Sequence, residues 1–228
     1  SGMGGKEWIP SYADRIVQKG FHLNLGEIRL EAIPTPGHTF EHLAWMCYDE
    51  SRSFNTPWFA FTGDCVFVGS VGRPDLLGAN EISVLSSQLY RTLFETLAGL
   101  PDFVEIHPAH GEGSFCGKSL KARSSSTFGY ERLFNPYFKK ETESTWKDNL
   151  LKGLSSAPPY FQRVKKMNLE GPPLLSDLKT LKWHEQDQAP DFEKLFLLDI
   201  RHPEMFASSH IKRSLNIPFS ATFSHWAG

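Results

Sequence analysis

The amino-acid sequence predicts an α/β protein, and three observations lead to that prediction. Apolar and polar residues alternate over 21–34, which is the pattern of half-buried strands. Apolar residues recur at helical spacing over 81–100. The segment LFLLDIR at 195–201 is a short continuous apolar run, which is typical of a buried parallel strand. The chain of 228 residues is long enough for one large domain and part of another.

The first third of the chain is predicted to hold a short helix and four strands. The helix is expected near residues 12–19. FHLNLGEIRLEAIP alternates apolar and polar residues and bends at Gly26, which predicts a hairpin. HLAWMCY (42–48) and WFAFTGD (58–64) are predicted as two further strands, with the polar segment DESRSFNTP as the turn between them.

The middle of the chain is predicted to be mainly helical. Apolar residues mark one face of a helix over 81–100, and Pro101 ends it; these residues are Val84, Leu85, Leu89, Leu93, Leu97 and Leu100. FVEIHPAHG is predicted as a short strand, and 124–166 as helical and rich in aromatic residues.

The remainder of the chain predicts a second part. HPEMFASSHIKRSLNIPFS, which follows the apolar segment at 195–201, predicts a short helix and a second strand. The polar residues 176–194 are predicted to be a linker. We therefore divide the chain into a first domain over 1–175, a linker over 176–194 and the beginning of a second domain over 195–228.

The composition argues against several classes of partner. A formal charge of −2 gives no basic surface for nucleic acid, so we expect no nucleic-acid binding. No apolar run approaches the roughly 20 residues that cross a bilayer, so we expect no membrane association. Three scattered cysteines, Cys47, Cys65 and Cys116, do not form a disulfide framework. A reducing, cytoplasmic location is therefore expected.

Three polar residues follow predicted strands, namely His38, Asp64 and His110. Each of them alone is better explained as a structural or exposed turn residue, since an aspartate often caps a turn through its side chain. As a set they are more informative, because imidazoles and a carboxylate at strand ends can meet around one cation. Two histidines and one carboxylate are the ligand class of non-haem Fe(II) oxygenases and of zinc hydrolases with an open coordination position.

Four segments resemble the metallo-β-lactamase superfamily, and they are TPGHT (35–39), TGDCVFVGSVGRPDL (62–76), HPAHGEGSFCGKSL (107–120) and SSSTFGYERLFNP (124–136). They are most similar to the persulfide dioxygenases, the sulfur dioxygenases of glutathione persulfide metabolism, with GRPDL as the most specific part. FLLDIRHPEMFASSHIKRSLNIPFS resembles the opening of a rhodanese domain. The resemblance implies an αββα sandwich followed by the start of an α/β rhodanese-like domain.

The resemblance also implies a role for particular residues. His38 and Asp64 would bind Fe(II), or Zn in hydrolytic relatives. His110 would lie at the same pocket: it binds a second metal in the hydrolytic relatives and usually lies just outside the metal's direct ligands in the dioxygenases. Here it could replace the missing ligand of the first motif. Arg73, Ser126 and Tyr130 would lie near a small thiol or persulfide substrate such as glutathione persulfide. Two simpler interpretations stay open: Arg73 pairs with Asp75, and Tyr130 belongs to the core.

The sequence departs from the family pattern near both ends. The first metal motif, His-x-His-x-Asp-His, is not in residues 1–37, where His22 is the one histidine. No cysteine follows Phe219 to serve a rhodanese active site. We therefore expect a chain truncated at both ends that binds metal weakly and has little or no activity. Without the first strands, exposed sheet surface would favour a homodimer or strand exchange. Two alternatives are a zinc-dependent thioester hydrolase similar to glyoxalase II and a degenerate, non-enzymatic binding module.

Overall fold

A computed structural model of the chain divides into two compact units, Ser1–Pro172 and Pro173–Gly228. The residues that the structure describes are 9–111, 116–117, 123–154, 157–158, 160–177 and 194–227.

The first unit is built on one mixed sheet of six strands in the order β1-β2-β3-β4-β7-β8. Neighbouring strands are antiparallel except β4 and β7, which run parallel. The strands are β1 His22–Leu25, β2 Ile28–Pro34, β3 Leu43–Asp49, β4 Phe59–Gly63, β7 Glu105–Pro108 and β8 Ser126–Thr127, and a separate hairpin pairs β5 Val66–Phe67 with β6 Ser70–Val71. These elements confirm the α/β class and the strands predicted at 42–48 and 58–64.

Four helices accompany the sheet, and they are α1 Ile82–Arg91, α2 Phe128–Phe134, α3 Glu143–Leu151 and α4 Phe161–Glu170. The helix predicted over 81–100 is confirmed, although its last turn, Thr92–Thr96, is a π-helical turn. A short 3₁₀ turn lies at Pro136–Phe138, and another at Leu175–Asp177 belongs to the second unit. Within the described ranges, no helix has the length and apolarity that a membrane span requires.

Helices α1 and α3 cover one face of the sheet. Alternate residues of β3, β4 and β7 point to this face, since successive side chains of a strand lie on opposite sides. The buried cluster includes Ala44, Met46, Ala60, Ile106, Leu89, Leu93, Trp146 and Leu150. On the opposite face, Phe59, Phe61 and His107 form an aromatic cluster with Phe61 partly exposed. The predicted homodimer stays a prediction.

The hairpin predicted at Gly26 is confirmed. Leu25 pairs with Ile28 across a two-residue turn, and Gly26 adopts a φ of 65°. Glycine reaches this left-handed conformation without the steric penalty of a side chain.

The helix predicted near 12–19 is wrong, because the structure has turns and extended backbone there. The backbone N–H of Ser11 donates to the carbonyl of Leu169 at 2.7 Å, and the Tyr12 hydroxyl donates to the carbonyl of Asn168 at 2.8 Å. The last turn of a helix leaves its carbonyl groups without partners inside the helix. The segment therefore caps the end of α4 instead of forming a helix of its own.

The second unit contains β9 Leu198–Asp199, α5 Pro203–Ser208, β10 Leu215–Asn216 and α6 Phe223–Ala227. Strands β9 and β10 pair in parallel, as expected from their sequence. The expectation of a buried strand at 195–201 is wrong, since Phe196 and Ile200 are exposed. A parallel strand is buried only when helices cover both faces of its sheet, and the described part of this unit has two short strands. Of the predicted linker, residues 178–193 lie outside the described residues.

Candidate metal centre

The ends of three strands bring His38, Asp64 and His110 together. Strands β2, β4 and β7 run in the same direction, so their C-terminal ends lie at one edge of the sheet. Nε2 of His38 lies 3.3 Å from Oδ2 of Asp64, and Nε2 of His110 lies 3.4 Å from Oδ1 of Asp64. The two histidines that the sequence predicted as metal ligands therefore converge on the carboxylate that it predicted with them.

The ring of His38 is fixed by a backbone group. Its Nδ1 lies 2.9 Å from the carbonyl oxygen of Arg73, and a carbonyl only accepts, so Nδ1 carries a proton. Burial lowers the pKa of His38, which favours the neutral ring. The unprotonated Nε2 then faces an oxygen of Asp64, and two such acceptors repel each other unless a cation lies between them. This arrangement fits a metal ligand.

Asp64 has an oxygen that the protein does not satisfy. Oδ1 is buried, and no described group meets hydrogen-bond geometry with it, although His110 approaches at 3.4 Å. Buried carboxylate oxygens normally accept a hydrogen bond or bind a cation, so the structure leaves Oδ1 available for one of these. Oε2 of Glu41, beside the same cavity, is also buried without a hydrogen bond among the described residues. The donor set and these oxygens fit a divalent metal ion.

His42 positions Asp64, and the sequence analysis missed it. The backbone N–H of Asp64 donates to Nε2 of His42 at 2.9 Å, so Nδ1 is the protonated nitrogen and donates to the hydroxyl of Thr35 at 2.8 Å. Burial lowers the pKa of His42 to about 4, which keeps the ring neutral. The signal was a second histidine four residues after His38, which the strand pattern of 42–48 concealed.

Two glycines allow the backbone to approach the site closely. A Cβ atom on Gly72 would lie 1.9 Å from the carbonyl oxygen of Asp64 and 2.9 Å from Cβ of His38. A Cβ atom on Gly63, which has a φ of 55°, would lie 2.6 Å from Nε2 of His42. A side chain at either position would displace a residue of the site.

Cys116 also lies at this site. One ligand atom each from His38, Asp64 and Cys116 falls within 4.8 Å of the others. The sequence predicted no ligand role for this cysteine, which was considered only for a disulfide framework. No spacing signal links it to His38, since the contact depends on how distant segments fold together.

The three residues predicted to bind substrate do not line the cavity beside the carboxylate. Arg73 is 2% exposed, and its guanidinium pairs with Asp75 at 2.5 Å, as the simpler interpretation expected. Ser126 pairs with Ile106 in the sheet. Tyr130 is 55% exposed on α2, which excludes a core position. Their part in substrate binding stays a prediction.

A cavity of about 450 Å³ opens beside the carboxylate. Its apolar wall comes from Leu76, Leu77, Phe161, Val164 and Leu169, and its polar groups include Thr39, Glu41, Cys116, Lys165 and Asn168. Helix α4 forms one side of the cavity and is attached partly through Lys165, whose Nζ donates to the carbonyl of Leu77 at 3.1 Å. The volume suits a small ligand.

Comparisons with known proteins agree with this architecture, although no family model matches the chain. The chain is 31% identical over 107 residues to a probable metallo-hydrolase, YqgX, of Bacillus subtilis, covering 47% of this chain and 45% of that protein. It is 31% identical over 109 residues to a hydroxyacylglutathione hydrolase of Actinobacillus pleuropneumoniae, covering 46% of this chain and 38% of that protein. The chain thus spans about half or less of the length of these curated relatives.

Solved structures give the longer matches. A metallo-β-lactamase from Staphylococcus aureus matches 98% of this chain and 62% of its own length, with a TM-score of 0.82 and 30% identity. ETHE1 from Myxococcus xanthus matches 70% of this chain and 61% of its own length, with a TM-score of 0.55 and 23% identity, which supports the fold alone. The chain has the metallo-β-lactamase fold, and about half of its sequence is similar to a probable metallo-hydrolase and to a hydroxyacylglutathione hydrolase.

Proposed function

We propose that this chain carries part of the active site of a non-haem Fe(II) persulfide dioxygenase. In this reaction dioxygen oxidises the outer sulfur of glutathione persulfide, the S–S bond breaks, and the thiol is released. Two oxygen atoms of the sulfite come from dioxygen and the third comes from water, with release of two protons. The observation that carries the proposal is the approach of His38 and His110 to the two oxygens of Asp64. Two imidazoles and one carboxylate are the donor set with which non-haem oxygenases hold Fe(II) and leave positions open.

In this proposal the protein residues bind the metal ion and orient its ligands. His38, Asp64 and His110 would hold the metal, which when bound supplies open coordination positions and redox capacity that the side chains lack. The Arg73 carbonyl fixes the His38 ring, and His42 fixes the backbone of Asp64. Such outer partners usually change metal affinity by about 10–100-fold when removed.

The cavity wall suits a thiol or persulfide with charged ends. Leu76 and Phe161 limit water beside the carboxylate, and the ammonium of Lys165 is a cation to which a substrate carboxylate could bind. The second unit, proposed as the opening of a rhodanese domain, fits the same chemistry because rhodaneses move sulfane sulfur between thiols. Its carboxylate, Asp199, is held by Arg201 and is assigned no catalytic role.

A second candidate is metal-dependent hydrolysis of a glutathione thioester. The observation that favours it is the 31% identity to a hydroxyacylglutathione hydrolase. Zinc would replace iron, because a zinc site with an open position activates water for hydrolysis. The donor residues would be the same.

Assays of oxygen uptake and of thioester hydrolysis, both on this 228-residue chain, distinguish the two candidates. We expect Fe(II)-dependent oxygen uptake with glutathione persulfide, which Asp64→Asn abolishes. The rate should be low, because residues 1–37 do not contain the His-x-His-x-Asp-His motif. Thioester hydrolysis by the Zn(II)-loaded chain without oxygen uptake would contradict the proposal. Metal binding without either reaction would favour a non-enzymatic binding module.

A further inference from the structure

We propose that Cys116 is an additional ligand of the metal centre, so that the ion is held by a histidine, a carboxylate and a thiolate. The inference rests on the metal site of the proposed function but not on its reaction. His110 stays beside the second oxygen of Asp64 and completes a set of four candidate donors.

The distances bring the sulfur within reach of a shared ion. One ligand atom each from His38, Asp64 and Cys116 lies within 4.8 Å of the others. In a tetrahedral site, the nitrogen and sulfur atoms bound to one zinc ion lie about 3.6 Å apart. Contraction of about an ångström would bring the three atoms around an ion.

The backbone of Arg73 connects Cys116 to His38. The N–H of Arg73 donates to the carbonyl of Cys116 at 3.0 Å, while the carbonyl of Arg73 accepts from Nδ1 of His38 at 2.9 Å. The neighbouring glycines, Gly72 and Gly117, form an antiparallel bridge. One residue therefore fixes the backbone of the cysteine and the ring of the histidine, which preorganises both donors.

The other two cysteines provide a contrast. Cys47 and Cys65 are buried in the core, with 2% and 0% of their surface exposed. Neither belongs to the group of ligand atoms around His38. Cys116 is only partly buried and lies on the cavity beside Asp64. A thiolate there would favour thiophilic ions such as Zn(II) or Co(II) over hard ions such as Mg(II).

Titration of the full chain with Co(II), followed by absorption spectroscopy, tests the inference. We expect visible ligand-field bands together with a thiolate-to-cobalt charge-transfer band in the near ultraviolet. Cys116→Ser should remove the charge-transfer band and weaken Co(II) binding by more than about tenfold. The matched control, Cys47→Ser, should keep both properties, and circular dichroism checks that each variant folds.

A second measurement needs no variant. Zn(II) should protect Cys116 of the wild-type chain from alkylation, as read by peptide mass spectrometry. Co(II) binding without the charge-transfer band would overturn the role of Cys116 and leave the metal site of the proposed function intact. Retention of the band in Cys116→Ser would also overturn it. Failure of the chain to bind Co(II) would overturn both this inference and the proposed site.

Discussion

Two aspartates, Asp64 in the first unit and Asp199 in the second, follow or end a strand, yet their surroundings differ. Both oxygens of Asp199 accept from the guanidinium of Arg201, and Oδ1 also accepts from the Arg201 backbone N–H. Oδ1 of Asp64 has no hydrogen bond among the described residues. A saturated carboxylate fixes a loop, whereas an unsaturated one beside imidazoles keeps its lone pairs for a ligand.

The two carboxylates also differ in the charge of their neighbours. The Arg201 guanidinium lowers the pKa of Asp199 and compensates its charge permanently. Asp64 lies beside His38 and His42, and burial lowers the pKa of both rings, so they remain neutral. These two rings therefore do not cancel the charge of Asp64, which can attract an external cation.

Asp64→Asn should have the largest effect. The amide keeps the size of the side chain but removes the charge, so metal affinity should fall by more than about 100-fold, beyond the loss typical of outer-shell changes. Isothermal titration calorimetry with Zn(II) measures the change. Asp199→Asn is the matched control and should leave metal affinity unaltered. Equal losses in the two variants would remove the distinction between the carboxylates.

His42 should make stability depend on pH. Its pKa is about 4 in the folded chain and near 6.5 when unfolded. As the pH falls below about 6.5, the unfolded chain binds a proton that the folded chain does not, so stability is lost, by up to about 3 kcal/mol at about pH 4.

The variant His42→Gln keeps an acceptor for the Asp64 N–H but does not titrate. Urea unfolding at about pH 7 and about pH 4.5 should therefore show a smaller loss of stability in the variant than in the wild type. The difference between the two chains isolates His42 from other titrating groups. Equal losses would show that this ring does not titrate as its burial indicates.

Gly72→Ala should disturb the site through backbone crowding. The new methyl group would meet the Asp64 carbonyl and Cβ of His38, so we expect a loss of about 1–3 kcal/mol in the free energy of unfolding and weaker metal binding. Gly99→Ala is the control, because no atom lies within 4 Å of a Cβ there. Thermal unfolding without Zn(II) measures the loss of stability, and the stabilisation by added Zn(II) measures metal binding. Equal losses in Gly72→Ala and Gly99→Ala would contradict the expectation.

The smallest effect is expected for Arg201→Lys. Lysine keeps the charge but loses the paired contacts of the guanidinium to Asp199, and the Arg201 end of the pair is exposed to solvent. The unfolding temperature of the second unit should fall slightly, while Zn(II) affinity stays the same. A change in Zn(II) affinity on calorimetry would mean that the second carboxylate also influences the metal.

The sequence predicted the features that local pattern controls. Alternation located the hairpin at Gly26, and strand ends identified His38, Asp64 and His110 before their contacts were known. It did not predict His42 or Cys116, because their roles depend on hydrogen bonds between distant segments. The helix expected near 12–19 failed for the same reason, since contacts to α4 replaced local bonds. The apolar segment at 195–201 was misread because burial depends on covering layers, which a pattern in one strand does not reveal.

The hydrogen bonds of Arg73 have a kinetic consequence for an ion at this centre. The N–H and the carbonyl of one residue hold Cys116 on one side and the His38 ring on the other. Displacing this residue would loosen both donors at once, so they would not detach in separate steps. Exchange of the ion would then be concerted, with its rate set by opening of the backbone around Arg73 rather than by the strength of any single bond.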